Sequence, residues 1–150
     1  MTVTEERETL TLRPLRAAVI SWASAVVIVV LFTVIALVLR NSDTGVIFRV
    51  ADQVALVVIG LFFAAGCLLM ARPRVRADAE GIEIRNVFAT RRFPWTEVQR
   101  VAFPDGASWA RIDLPDYEYV PVMAVQAVDG QRAVEAMRRL RALHAAAHAS

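Results

Sequence analysis

The sequence contains no lysine; all 17 basic residues are arginine. It has one cysteine, Cys67, so a disulfide within the chain is excluded. Cys67 lies inside an apolar run and reads as a small packed residue. The two histidines, His144 and His148, both fall in the last seven residues. No serine–histidine–aspartate arrangement can be built around them. The six glycines stand apart at 45, 60, 66, 81, 106 and 130, so there is no glycine-rich phosphate loop. Net charge is only +2, which excludes a polycationic nucleic-acid binder; the pI of 9.3 reflects arginine never deprotonating. These absences argue against an enzyme, and no cofactor is expected.

Charge is also missing from two long stretches. Ala17 to Leu39 runs 23 residues without a charge, a proline or a glycine. At about 1.5 Å per helical residue, this is long enough for a hydrocarbon core of ~30 Å. It is far longer than the ~7–15 residues of a signal-peptide apolar region, so it is expected to stay as an anchor. Val54 to Ala71 adds 18 uncharged residues. Between them, Arg40 to Gly45 is rich in turn formers, and Ser42 or Asp43 can cap the helix that follows. The two spans, 17–39 and 46–71, therefore form an antiparallel transmembrane hairpin. Ala17, Ser21 and Ala25 make a strip of small residues on the first span. Gly60, Ala64 and Gly66 supply small positions on the second for close helix packing. Trp22 suits the headgroup level. Arg49 and Asp52 read as an interfacial pair at a helix end.

Residues 1–16 read as a polar tail, with Arg13 and Arg16 at the membrane surface. Arginine flanks both outer ends of the hairpin, at Arg7, Arg13 and Arg16 and at Arg72, Arg74, Arg76 and Arg85. The positive-inside rule then puts both termini in the cytoplasm of a multi-pass plasma-membrane protein.

From Arg72 the hydropathy alternates with period two. Arg74–Ala77 and Gly81–Arg85 flank a turn at Asp78–Gly81, which is a β-hairpin signal. Further strands are expected at Val87–Phe93, around Val101 and Phe103, at Trp109–Leu114, and from Tyr119 to Val125. A helical turn is expected at Pro94–Val98. Asp129 is a plausible N-cap for a closing amphipathic helix that buries Val134, Met137, Leu140 and Leu143. The end, His144 to Ser150, is expected to fray. The fold class is thus α+β: a two-helix membrane hairpin, then a small β-barrel or sandwich over 72–150 closed by a C-terminal helix.

Arg74-Val-Arg-Ala-Asp-Ala-Glu-Gly-Ile-Glu-Ile-Arg85, followed by Arg91-Arg-Phe-Pro-Trp-Thr-Glu-Val98, resembles small bacterial membrane proteins with a pleckstrin-homology (PH) domain. In these a hydrophobic hairpin precedes a strand, a D-x-x-G-I turn and a P-W-x-x-V motif. The resemblance is to the PH domain family of the low molecular weight protein antigen 6 type, and covers roughly Arg72 to Leu143. It implies a high-GC Gram-positive source, which the exclusive use of arginine also suggests. It also implies a binding platform rather than a catalyst. Phosphoinositide-binding PH domains carry basic residues around the loop joining their first two strands. Read as that loop, Asp78–Gly81 is acidic, so phosphoinositide binding is not carried over.

Arg72, Arg74, Arg76, Arg91 and Arg92 form the basic cluster, suited to anionic headgroups or a partner, or serving only to set topology. Asp113, Asp116 and Glu118 around Pro115 read as an exposed loop. His144 and His148, four apart, could share a metal only if acids or a cysteine lay nearby, and none does in sequence. The expected function is a membrane-anchored binding module that presents a protein- or headgroup-recognition surface. The alternative is an accessory subunit held in an assembly, or a homo-oligomer, through its hairpin. Expected partners are membrane lipids and a protein, not nucleic acid.

Overall fold

The computed structural model describes residues 9–42, 45 and 47–150. Its elements in order are β1 (Leu10–Leu12), α1 (Leu15–Asn41), α2 (Val50–Leu69), β2 (Arg74–Ala77), β3 (Gly81–Arg85), β4 (Thr90–Pro94), β5 (Arg100–Ala102), β6 (Trp109–Asp113), β7 (Tyr119–Gln126) and α3 (Gln131–Ala149). Residues 17–71 form one compact unit; the described part of 1–16, together with 72–150, forms the other.

In the helical unit, α1 and α2 are long and apolar, and their large side chains stay exposed. Val19 is 68% exposed and Phe62 75%. What is buried is small: Ser21, Ala25 and Ala36 on α1, Gly60 and Ala64 on α2. A Cβ at Gly60 would stand 2.6 Å from the Phe32 Cβ, so glycine there lets the helices approach. Phe32 and Phe63 add a tilted ring contact at 5.9 Å. Arg40 Nη1 donates to Gln53 Oε1 at 2.8 Å. The expected Arg49–Asp52 pair takes another form: the Arg49 backbone N–H donates to Asp52 Oδ2 at 2.9 Å, capping α2 through an acid in its first turn. Ser42 bonds back to the Val38 carbonyl rather than capping α2, and Asp43 lies outside the described residues.

The second unit is a sandwich of two antiparallel sheets, ordered β1-β2-β3-β4 and β5-β6-β7. The expected alternative of a closed barrel is not realised, because the two ladders remain separate among the described residues. Residues 10–12, expected to belong to a tail, are its first strand. Leu10, Thr11 and Leu12 pair with Ala77, Arg76 and Val75, and both leucines pack on the core. The sheet therefore begins before the helical hairpin and resumes after it.

Period-two alternation puts Val75, Ala77, Ile82, Ile84 and Phe93 inside, facing Val101, Ile112 and Val122 of the other sheet. Asn86 stitches the sheets: its Nδ2 donates to the Pro121 carbonyl at 2.8 Å, and its Oδ1 accepts from Met123 N at 3.3 Å. The two motifs read in the sequence interlock. Asp78 Oδ1 accepts the N–H groups of Glu80 and Gly81 at 2.9 and 3.0 Å, making the turn. Gly81 then lies against Phe93, whose carbonyl a Cβ at 81 would strike. The buried Trp95 indole N–H donates to the Asp78 carbonyl at 2.8 Å.

The α3 helix closes the core with Ala133, Ala136, Met137 and Leu140. Val134, expected inside, is exposed. The helix starts at Gly130 (φ 57°) with no side-chain cap, so Asp129 is not its N-cap. Nor does the end fray as expected at His144. The helix continues to Ala149, because His144 Nε2 bonds the Val98 carbonyl at 2.7 Å and Ala147 packs on the core.

Candidate functional site

Register decides which arginines share a surface. Inner-face residues Val75 and Ile84 are opposed, so Arg74 stands directly opposite Arg85 on the outer face of β2 and β3. Arg13, next after Leu12 of β1, extends the row. Arg76 lies two residues along β2 on the same face. Arg74 feels all three: its pKa is lowered from its ordinary value, first by desolvation and then by repulsion from Arg13, Arg76 and Arg85. Among the described residues no carboxylate makes an ion pair with any of the four. Like charges directly opposed across strands oppose folding; the one outer-face acid on β2 and β3, Glu83, stands opposite Arg76 and leaves Arg74 and Arg85 facing each other.

Arg85 ends β3, and Asn86–Ala89 is the turn to β4, closed by Asn86 N donating to the Ala89 carbonyl at 2.8 Å. Val87 is buried beneath it, while Phe88 at its tip is 87% exposed. Arg72 Nη1 donates to the Val87 carbonyl at 3.1 Å, which ties the strand entrance after α2 to this turn.

The basic cluster read from the sequence is therefore divided. Arg74 and Arg76 lie in the row, and Arg72 braces the turn beside it. Arg92 is engaged by Asp78 and Glu80 at 3.3 and 3.7 Å. Arg91 has the parity of the core face and lies over the Phe93 ring at 5.8 Å. The residues missed are Arg85 and Arg13. Arg85 was legible: counting back from the Asp78–Gly81 turn places it opposite Arg74. Arg13 was not, because its strand pairs across the whole hairpin. Within the sheet, Asp78–Gly81 joins β2 to β3, and β1 is joined to β2 by residues 13–73, whose two ends carry Arg13, Arg16 and Arg72.

Of the helix-packing candidates, Ser21, Ala25, Gly60 and Ala64 are buried, Ala17 is half-buried, and Gly66 faces open space. Asp113 is ion-paired with Arg100 and Arg111 at 3.0 and 2.9 Å. The His144 ring meets Trp95 edge-on at 5.7 Å and braces α3. No group of three metal-ligating side chains occurs among the described residues. Two open grooves flank α3. One of about 490 Å³ is lined by Leu12, Arg13, Ala133 and Arg132. Another of about 630 Å³ is lined by Phe103, Val134 and Met137.

Residues 72–143 match the bacterial PH domain family. The chain belongs to that family. Relatives at 47% identity over 132 residues occur in Mycobacterium bovis and in two strains of Mycobacterium tuberculosis, and are described only as uncharacterized proteins. The similarity covers 88% of this chain and 86% of theirs, too much to leave out most of residues 17–71. No solved structure matches. In this bacterial PH domain protein, the matched region begins at β2, so β1 is the part of the sandwich that the family match leaves out.

Proposed function

We propose that this protein is a membrane-anchored binding module: the hairpin spans the plasma membrane twice, and the PH-like sandwich presents a recognition surface at the cytoplasmic face. The observation that carries the reading is the pairing of β1 with β2 across the hairpin. Two strands of one ladder must lie on the same side of a bilayer, so the segment between them crosses an even number of times. Exposed valine, leucine and phenylalanine along both helices support lipid as their surroundings, since water would disfavour so large an apolar surface. The arginines at both outer ends of the hairpin favour a cytoplasmic sandwich. A sandwich that offers loops, grooves and a sheet edge, with both histidines and Asp113 in structural contacts, suits binding better than catalysis.

Gly66, exposed on α2 with open space beside it, favours a second reading, in which the hairpin also packs on another span as an accessory subunit. Native mass spectrometry of the full-length protein, drawn from its own membrane in mild detergent, separates the two. A stoichiometric second protein lost on mutating the sandwich surface supports the binding module. A complex lost only on Gly66→Leu supports the accessory subunit. A monomer insensitive to both contradicts each.

A further inference from the structure

The geometry points to a second, direct membrane contact: the β3–β4 turn and the arginine row beside it dock onto an anionic lipid surface, with Phe88 inserted at the headgroup level. This deepens the proposed function and rests on its membrane anchoring. Three independent features converge at one end of the first sheet. Arg74 and Arg85 are opposed across strands, with Arg13 beside them; Glu83, the outer-face acid on these two strands, stands opposite Arg76 and makes no ion pair with the row. Such a row is relieved by an external anion, and phosphate-bearing headgroups supply several at once. Next, Phe88 is 87% exposed at the tip of a turn whose neighbour Val87 is buried. The backbone could as well have carried a polar side chain there, and an aromatic ring flanked by arginines is the composition of a membrane interface. Finally, chain length limits the distance to lipid. Arg72 is three residues beyond the end of α2, so its backbone lies within about 11 Å of Leu69 even if fully extended. Arg72 in turn bonds the Val87 carbonyl. A free anion would use the arginines but would leave Phe88 without a role; a lipid surface uses both.

The test uses the full-length protein, with Cys67→Ala removing the native thiol, reconstituted in vesicles that carry a nitroxide-bearing lipid. A fluorophore is placed at Ala89→Cys, beside an intact Phe88. Parallel labels at Val30→Cys, within α1, and at Asp105→Cys, in the β5–β6 turn, serve as references. In vesicles of phosphatidylcholine with phosphatidylglycerol, position 89 is expected to be quenched well above position 105. Quenching falls in pure phosphatidylcholine, in high salt, and with Phe88→Ser. Replacing Arg74 and Arg85 by serine weakens docking roughly fivefold for each arginine removed. Quenching at 89 no greater than at 105 in anionic vesicles, with position 30 strongly quenched, overturns the inference and leaves the anchor standing. Quenching at 89 that ignores lipid charge and both arginines also overturns it. No quenching at position 30 overturns the anchor itself, and this inference with it.

Discussion

Asp129 accepts a hydrogen bond from the backbone N–H of Arg16 at 3.2 Å, across 113 residues of chain. Arg16 is the second residue of α1, and its guanidinium also donates to the Val128 carbonyl at 2.8 Å. The first turn of a helix leaves N–H groups without partners, and a buried carboxylate from the sandwich fills one of these places. Asp129→Ala is expected to cost about 1–2 kcal/mol, the usual loss of a helix cap, and Asp129→Asn less, because the amide oxygen still accepts. Thermal unfolding of the full-length protein in mild detergent checks the ranking. An Asp129→Ala melting point equal to that of the unmodified protein would contradict it.

Replacing Arg85 by glutamate should stabilise the sandwich. It turns a like-charge pair with Arg74 into an opposite-charge pair, a change of roughly 0.2–1 kcal/mol for an exposed cross-strand position. The gain should be measurable by denaturant titration in neutral detergent. The same change should weaken association with anionic vesicles, so stability and binding move in opposite directions. A loss of stability would mean that Arg85 has a structural partner.

Trp95 joins the two family motifs, and its removal should be severe. Trp95→Ala is expected to cost about 3–5 kcal/mol, combining a large cavity with an unpaired Asp78 carbonyl. Trp95→Phe keeps most of the volume but loses the 2.8 Å hydrogen bond, so it should fall between the two. Tertiary circular dichroism during urea unfolding distinguishes these cases.

The two small positions on α2 should behave differently. Gly60→Ala drives a methyl group into Phe32 and should weaken hairpin packing by about 1–3 kcal/mol. Gly66→Ala meets nothing within 4 Å and should leave hairpin stability unchanged. Resistance to unfolding in sodium dodecyl sulfate compares them directly.

Local patterns carried most of the architecture. Alternation at Arg74–Ala77 and Gly81–Arg85 set the first β-hairpin, and the uncharged runs set both helices, because each depends on residues close in the chain. What depended on distant partners was hidden. A three-residue strand such as Leu10–Leu12 has no pattern of its own and exists only because Val75 to Ala77 offers an edge. Asp129 reads as a cap for the helix immediately following, and only folding reveals that it caps α1 instead. The basic cluster was drawn along the sequence, whereas charge on a sheet is organised across strands. That is why Arg85 entered the row opposite Arg74, while Arg92, across Glu83 from Arg76, is drawn to Asp78 and Glu80.

The central claim is that two membrane crossings separate strands lying on one side. Its most direct test is cysteine accessibility in intact cells, in a Cys67→Ala background. One variant carries Ile47→Cys, exposed in the connection between α1 and α2; another carries Asp105→Cys, exposed in the sandwich. A membrane-impermeant maleimide should label position 47 from outside the cell, and position 105 only after permeabilisation. If both positions react from the same side, the hairpin does not cross the membrane, and the account fails.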